Sequence, residues 1–149
     1  MSGLVNYELF ASRLGSGNCG FTLEGGFYEK FVNNTGLSVK GTIVVASKTI
    51  SNGVDIAPAN STFAVGVIYE NDVPNGSLVK VVVYGKAQVL LKDGESSSNG
   101  FWCGTSDTDG RMYQLDTTSD NIDLNKTIGN GLEVKFGANN VLALVQLHL

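Results

Sequence analysis

Leu78-Val79-Lys80-Val81-Val82-Val83-Tyr84 leads directly into Gly85 and then Lys86-Ala87-Gln88-Val89-Leu90-Leu91. In an extended chain Val79, Val81 and Val83 share one side and Lys80 interrupts the other. The run is β-branched and aromatic, of strand length, and shows no polar face at helical spacing. Gly85 allows a bend before the chain continues, as at a barrel corner. Similar runs lie on either side: Thr42–Ala46, Phe63–Tyr69 and the closing Val141–Leu149. In the last, Ala143, Val145, Leu147 and Leu149 form a wholly apolar face that should look inward, opposite Leu142, Leu144, Gln146 and His148. Between the runs stand Asn52-Gly53, Asn75-Gly76, Asp93-Gly94, Asn99-Gly100, Asp109-Gly110 and Asn130-Gly131. Both residues of such a pair tolerate positive φ, which suits hairpin turns. Short strands bounded by turns predict an all-β fold, a small β-barrel or sandwich of antiparallel strands and hairpins.

The sequence also echoes itself. Gly66-Val67-Ile68-Tyr69-Glu70 precedes the strand at Leu78 by the same offset that separates Gly129-Asn130-Gly131-Leu132-Glu133 from the strand at Val141. A strand ending in Glu, a polar turn and a buried return strand accounts for both halves; so does the general likeness of β-hairpins.

Two stretches depart from the strand pattern. Residues 1–30 are rich in glycine and carry Tyr7, Phe10, Phe21, Phe27 and Tyr28, which reads as an extended N-terminal arm anchoring by its rings, on another surface or on its own barrel. The remaining residues, 31–149, read as a single β-barrel-like domain. Within it residues 93–110 form a surface loop with Phe101 and Trp102 at its centre, a candidate for display or inter-protomer contact.

Composition narrows the function. Of 149 residues 19 are glycine and 16 % are charged, while 42 % are hydrophobic, which excludes a disordered chain. A net charge of −4, with only 10 Lys and Arg, argues against a nucleic-acid partner. No apolar run is long enough for a membrane-spanning helix, and no secretory signal is visible at the start. Cys19 and Cys103 fit neither a metal quartet nor a disulfide framework, and whether they pair stays open. His148, the lone histidine, has no nucleophile motif to serve. Asp107-Thr108-Asp109-Gly110 has some elements of a calcium loop but lacks the glycine position and the bidentate Glu. No catalytic residue, metal or cofactor is therefore expected.

Gly41–Val45, Ala64–Glu70, Asn75–Val81, Tyr84–Ala87 and the closing stretch from Ile128 to Leu149 together resemble the capsid decoration, or cement, proteins of tailed bacteriophages. The resemblance implies a β-barrel-like protein on the outer surface of the virion, made in the host cytoplasm. It implies binding to the major capsid protein of an expanded head, as a homotrimer between capsid subunits, without catalysis. The long aromatic arm and the 93–109 insertion depart from the family pattern. A competing reading is a carbohydrate-binding β-sandwich of a fibre or adhesin, with Phe101, Trp102 and Tyr113 stacking on sugars.

Overall fold

The computed structural model describes residues 17–115 and 124–149. The described residues form ten strands and no helix: β1 Cys19–Phe21, β2 Gly26–Asn33, β3 Ile43–Ala46, β4 Gly53–Ile56, β5 Gly66–Ile68, β6 Leu78–Leu90, β7 Trp102–Thr105, β8 Met112–Gln114, β9 Thr127–Gly131 and β10 Leu142–Leu147. The all-β class expected from the turn-bounded runs is the one found. Two features differ from a set of short antiparallel strands: β6 is 13 residues long, and β2 pairs with β4 in parallel.

The two halves of β6 belong to different layers. Its first half pairs with β2 on one edge and β5 on the other. From β5 the pairings pass to β3, β4 and back to β2, closing a ring of strands. Its second half pairs with β10, and the order continues through β9 and β7 to β8. This second layer also curls back on β6. Just past the strand's end Leu91 meets Met112 in a parallel bridge, and the Lys92 N–H donates to the Met112 carbonyl at 2.8 Å.

Each layer has its own apolar filling. Inside the ring lie Val44, Val54, Ile68, Val79 and Val81, with Phe31, Val73 and Val83 packed around them. Between the layers, Ile43, Val67 and Val82 meet Ala87, Val89, Cys103, Met112, Ile128, Ala143, Val145 and Leu147. Neighbouring residues such as Ile43 and Val44, or Val81 and Val82, thus point into different cores. That is why these strands read as unbroken apolar runs rather than alternating ones. Each buried Val, Ile or Leu contributes roughly 1.5–3 kcal/mol. In β10, Ala143, Val145 and Leu147 are fully buried as the alternation requires, while Leu149 lies beyond the strand and is exposed.

Gly85 makes the passage between layers. Its φ is +84°, and a Cβ there would stand 2.7 Å from the Gly25 carbonyl oxygen. It faces Gly26 across the strand pair, and a bulge follows at Phe27/Tyr28.

Three sequence expectations need revision. In the segment read as an arm, residues 17–30 are not free-standing: β1 and most of β2 are strands of the sheet, and β2 is one of the staves of the ring. The segment read as one loop, 93–110, contains β7. Asn130-Gly131 is no turn; both residues lie in β9, paired with β10. Gly129 and Gly131 serve close approach instead, since a Cβ on either would overlap a backbone carbonyl oxygen, that of Gln146 or Ser98.

The internal echo has a structural counterpart. β5–β6 and β9–β10 are both antiparallel hairpins. In the first, the Tyr69 N–H donates to the Lys80 carbonyl at 2.9 Å, and the Lys80 N–H donates to Glu70 Oε1 at 3.0 Å. In the second, the Leu132 N–H donates to the Leu144 carbonyl at 2.9 Å, and the Leu144 N–H donates to Glu133 Oε1 at 3.2 Å. A glutamate carboxylate stands in for a ladder carbonyl in both.

Replacing Glu70 or Glu133 by Ala should each lower stability by about 1–3 kcal/mol, because a part-buried N–H loses its acceptor. Urea unfolding measures this, and an unchanged midpoint would contradict it. Gly129→Ala should cost about 3 kcal/mol or more by displacing β10. Gly76→Ala, at φ +89° with open space around it, should cost only about 1–2 kcal/mol.

Candidate contact surface

The β1–β2 turn builds an exposed aromatic row. Thr22 closes the turn: its N–H donates to the Gly26 carbonyl at 2.9 Å, and its Oγ1 accepts the Gly26 N–H at 2.9 Å. Gly25 supplies the left-handed position, φ +96°. Phe21 and Phe27 then stand opposite each other with ring centroids 5.8 Å apart. Phe27 in turn faces Tyr84 of β6. Leu23 at the turn's tip is 98 % exposed, Phe21 65 % and Tyr84 62 %. Single exposed apolar residues are ordinary, but a row continued across three strands is a candidate contact surface.

A charged clasp fixes the turn to the body. Lys40 Nζ lies 3.5 Å from Glu24 Oε1 and 4.9 Å from the centre of the Tyr69 ring. Partial burial works against ionisation of Glu24, but a backbone hydrogen bond, Lys40 and the Tyr69 hydroxyl outweigh it and hold the carboxyl below its ordinary 4.5. Burial, reinforced by Glu24, pushes the Tyr69 hydroxyl above its ordinary value. A depressed carboxyl stabilises the fold above its unfolded pKa, and that contribution is lost as pH falls through the folded value.

The other residues singled out in the sequence are scattered. Tyr7 and Phe10 lie outside the described residues. Tyr28 points away from the Phe21–Phe27–Tyr84 row; it pairs with Val82 and lies under Lys80 Nζ, 5.1 Å from its ring centre. Phe101 is 36 % exposed ahead of β7, and Trp102 begins that strand, half-buried against His148 with ring centroids 5.8 Å apart. Leu23 and Tyr84 were missed by sequence reasoning. An apolar residue in the polar turn Thr22–Gly26, and an aromatic directly before the bend at Gly85, were the available signals.

The residues tested for chemistry are tied up in structure. A cavity of about 290 Å³ is lined by Asn60, Lys92, Glu95, Ser106, Asp107 and Tyr113. Within it Lys92 Nζ meets Asp107 Oδ1 at 2.7 Å, a hydrogen bond that raises the lysine's pKa and lowers the aspartate's. Asp109 Oδ1 accepts the Ala59 N–H at 2.9 Å. No group of three His, Cys, Asp or Glu able to hold a metal occurs among the described residues. His148 Nε2 hydrogen-bonds Asn130 Oδ1 at 2.7 Å. Cys19 and Cys103 are both buried and unpaired. Burial pushes the Cys103 thiol up to about 11.

No protein-family model matches the chain, and no curated protein matches it. Its fold is found in bacteriophage head proteins. The chain is similar to the head fibre gp8.5 N base in bacteriophage phi29, with TM-score 0.53 and 17 % identity over 79 % of this chain and 92 % of that one. It is similar also to a chain of the capsid of the Myoviridae phage XM1, with TM-score 0.52 and 18 % identity over 80 % of this chain and 81 % of that one. These neighbours agree with the resemblance to phage capsid decoration proteins carried by the sequence.

Two measurements check the site's local chemistry. Glu24→Gln should reduce the loss of stability on acidification below pH 4.5, followed by urea midpoints across pH; parallel curves for variant and parent would contradict the clasp. A thiol reagent such as dithionitrobenzoate should label neither cysteine in the folded protein and both after denaturation. Rapid labelling of Cys103 in the native state would contradict its burial.

Proposed function

We propose that this protein is a non-enzymatic structural component of a phage virion. In this reading it binds the outer surface of the expanded head between major capsid protein subunits, as a homotrimer. The observation that carries the reading is the shared fold: two phage head proteins align over about four-fifths of this chain. The row of exposed Phe21 and Tyr84 with half-buried Phe27 between them, and Leu23 at the turn's tip, supports it, since it gives a folded protein an apolar surface to bury on a shell. Each ring so buried would contribute roughly 1.5–3 kcal/mol. Three protomers on one site would turn modest contacts into avidity, because later contacts form at high effective concentration. Tyr7 and Phe10, which precede the hairpin in sequence, are proposed as further anchoring rings.

Co-sedimentation with expanded and unexpanded heads of the phage tests the reading. Saturable binding to expanded heads, near three copies per three-fold site, is the expected result; binding to neither form overturns it. Leu23→Ser with Tyr84→Ser should weaken binding at least tenfold without unfolding the sheet, as both side chains are exposed. Deleting residues 1–16 removes Tyr7 and Phe10 and spares every described strand, and it too should weaken binding. Deleting residues 1–30 would be uninformative, because it takes β1 and Gly26–Lys30 of β2 with it.

A further inference from the structure

The outer face of the second layer is chemically unlike the aromatic row. Val145 and Leu147 face the core, so Gln146 between them faces out; Ala87 and Val89 do the same for Gln88, and Cys103 for Trp102. The register then sets four outward side chains in line across β7, β9, β10 and β6: Trp102 opposite Asn130, Asn130 opposite Gln146, Gln146 opposite Lys86. Directly opposed side chains in such a ladder are about 5 Å apart at Cβ. Gln88 lies on the same face, opposite Leu144. The line is therefore about 14 Å long, with room for a short oligosaccharide rather than a single ring.

Trp102 and Asn130 are held in place by one residue. His148 packs its ring on Trp102 and brings Nε2 to 2.7 Å from Asn130 Oδ1. This contact engages one end of the Asn130 amide and leaves the other end for a ligand. The Gln88 and Gln146 amides have no hydrogen-bonding partner among the described residues. Trp102, Asn130, Gln146 and Gln88 are all half-buried, so their positions are set by the sheet while their outer atoms meet solvent.

We propose that this face, with Trp102 as platform and Asn130, Gln146 and Gln88 as hydrogen-bonding amides, binds a neutral oligosaccharide. An indole offers a flat apolar surface that matches the C–H face of a pyranose ring. An amide both donates and accepts, and so matches a sugar hydroxyl, which does the same. The row carries no carboxylate and one cation, Lys86, at its end, so a charged peptide has little there to pair with. The inference does not depend on head binding, because it uses different residues.

Trp102 is the chain's one tryptophan, so its emission reports on the face directly. Full-length protein would be titrated with maltohexaose, cellohexaose and chitohexaose and screened on an array of neutral bacterial surface glycans. A saturable change in emission with at least one glycan is expected. Gln146→Ala and Gln88→Ala should each weaken it at least tenfold, and Trp102→Ala should abolish array binding. Should Trp102→Ala fail to fold, the two glutamine variants decide. A blank array with unmoved emission overturns the proposal, as does undiminished binding by both glutamine variants. Head co-sedimentation of the glutamine variants should match the parent, so loss of sugar binding and loss of head binding are separable outcomes.

Discussion

One strand has to satisfy two layers, and most of the molecule follows from how β6 does so. Its first half needs neighbours on both edges to close the ring, and its second half must leave that ring to pair with β10. A left-handed residue at Gly85 makes the turn, and it works only because neither Gly85 nor Gly26 carries a Cβ, which lets the Gly25 and Lys86 carbonyls come close. Everything on the far side of the bend then lies against the ring's outer surface, which must itself be apolar. Ile43, Val67 and Val82 provide that surface, and their chain neighbours fill the ring.

The same bend divides the exposed surface. Tyr84, just before Gly85, closes the aromatic row that begins at Phe21. Lys86, just after it, ends the line of amides that begins at Trp102. Two chemically distinct patches thus meet on one strand, separated by one residue. An apolar patch suits burial against a protein shell, and a patterned amide face suits a polar ligand.

Much of this was legible in the sequence where one physical rule acted alone. The alternation in β10 gave its inner face, because only one side of that strand is buried in the interlayer core. The bend at Gly85 was readable because a glycine amid β-branched residues has few other uses. The recurring Glu70 and Glu133 spacing corresponds to a carboxylate replacing a ladder carbonyl in each hairpin. Reading failed where one residue type serves two ends. Glycines around β1 and β2 suggested an extended arm, yet Gly20 and Gly26 are there because Tyr28 and the Lys86 carbonyl crowd the space a Cβ would take. Asn130-Gly131 looked like a turn for the same reason. The aromatic row itself was half visible: Phe21 and Phe27 could be picked out, but Tyr84 joins them only through strand pairing across more than fifty residues of chain.

Cryo-electron microscopy of expanded heads reconstituted with the purified protein tests the central claim most directly. Density is expected at the junctions between major capsid subunits, with the turn bearing Leu23, Phe21 and Tyr84 against the shell. Heads without added density, or a bound protein whose β1–β2 turn faces solvent, would contradict it.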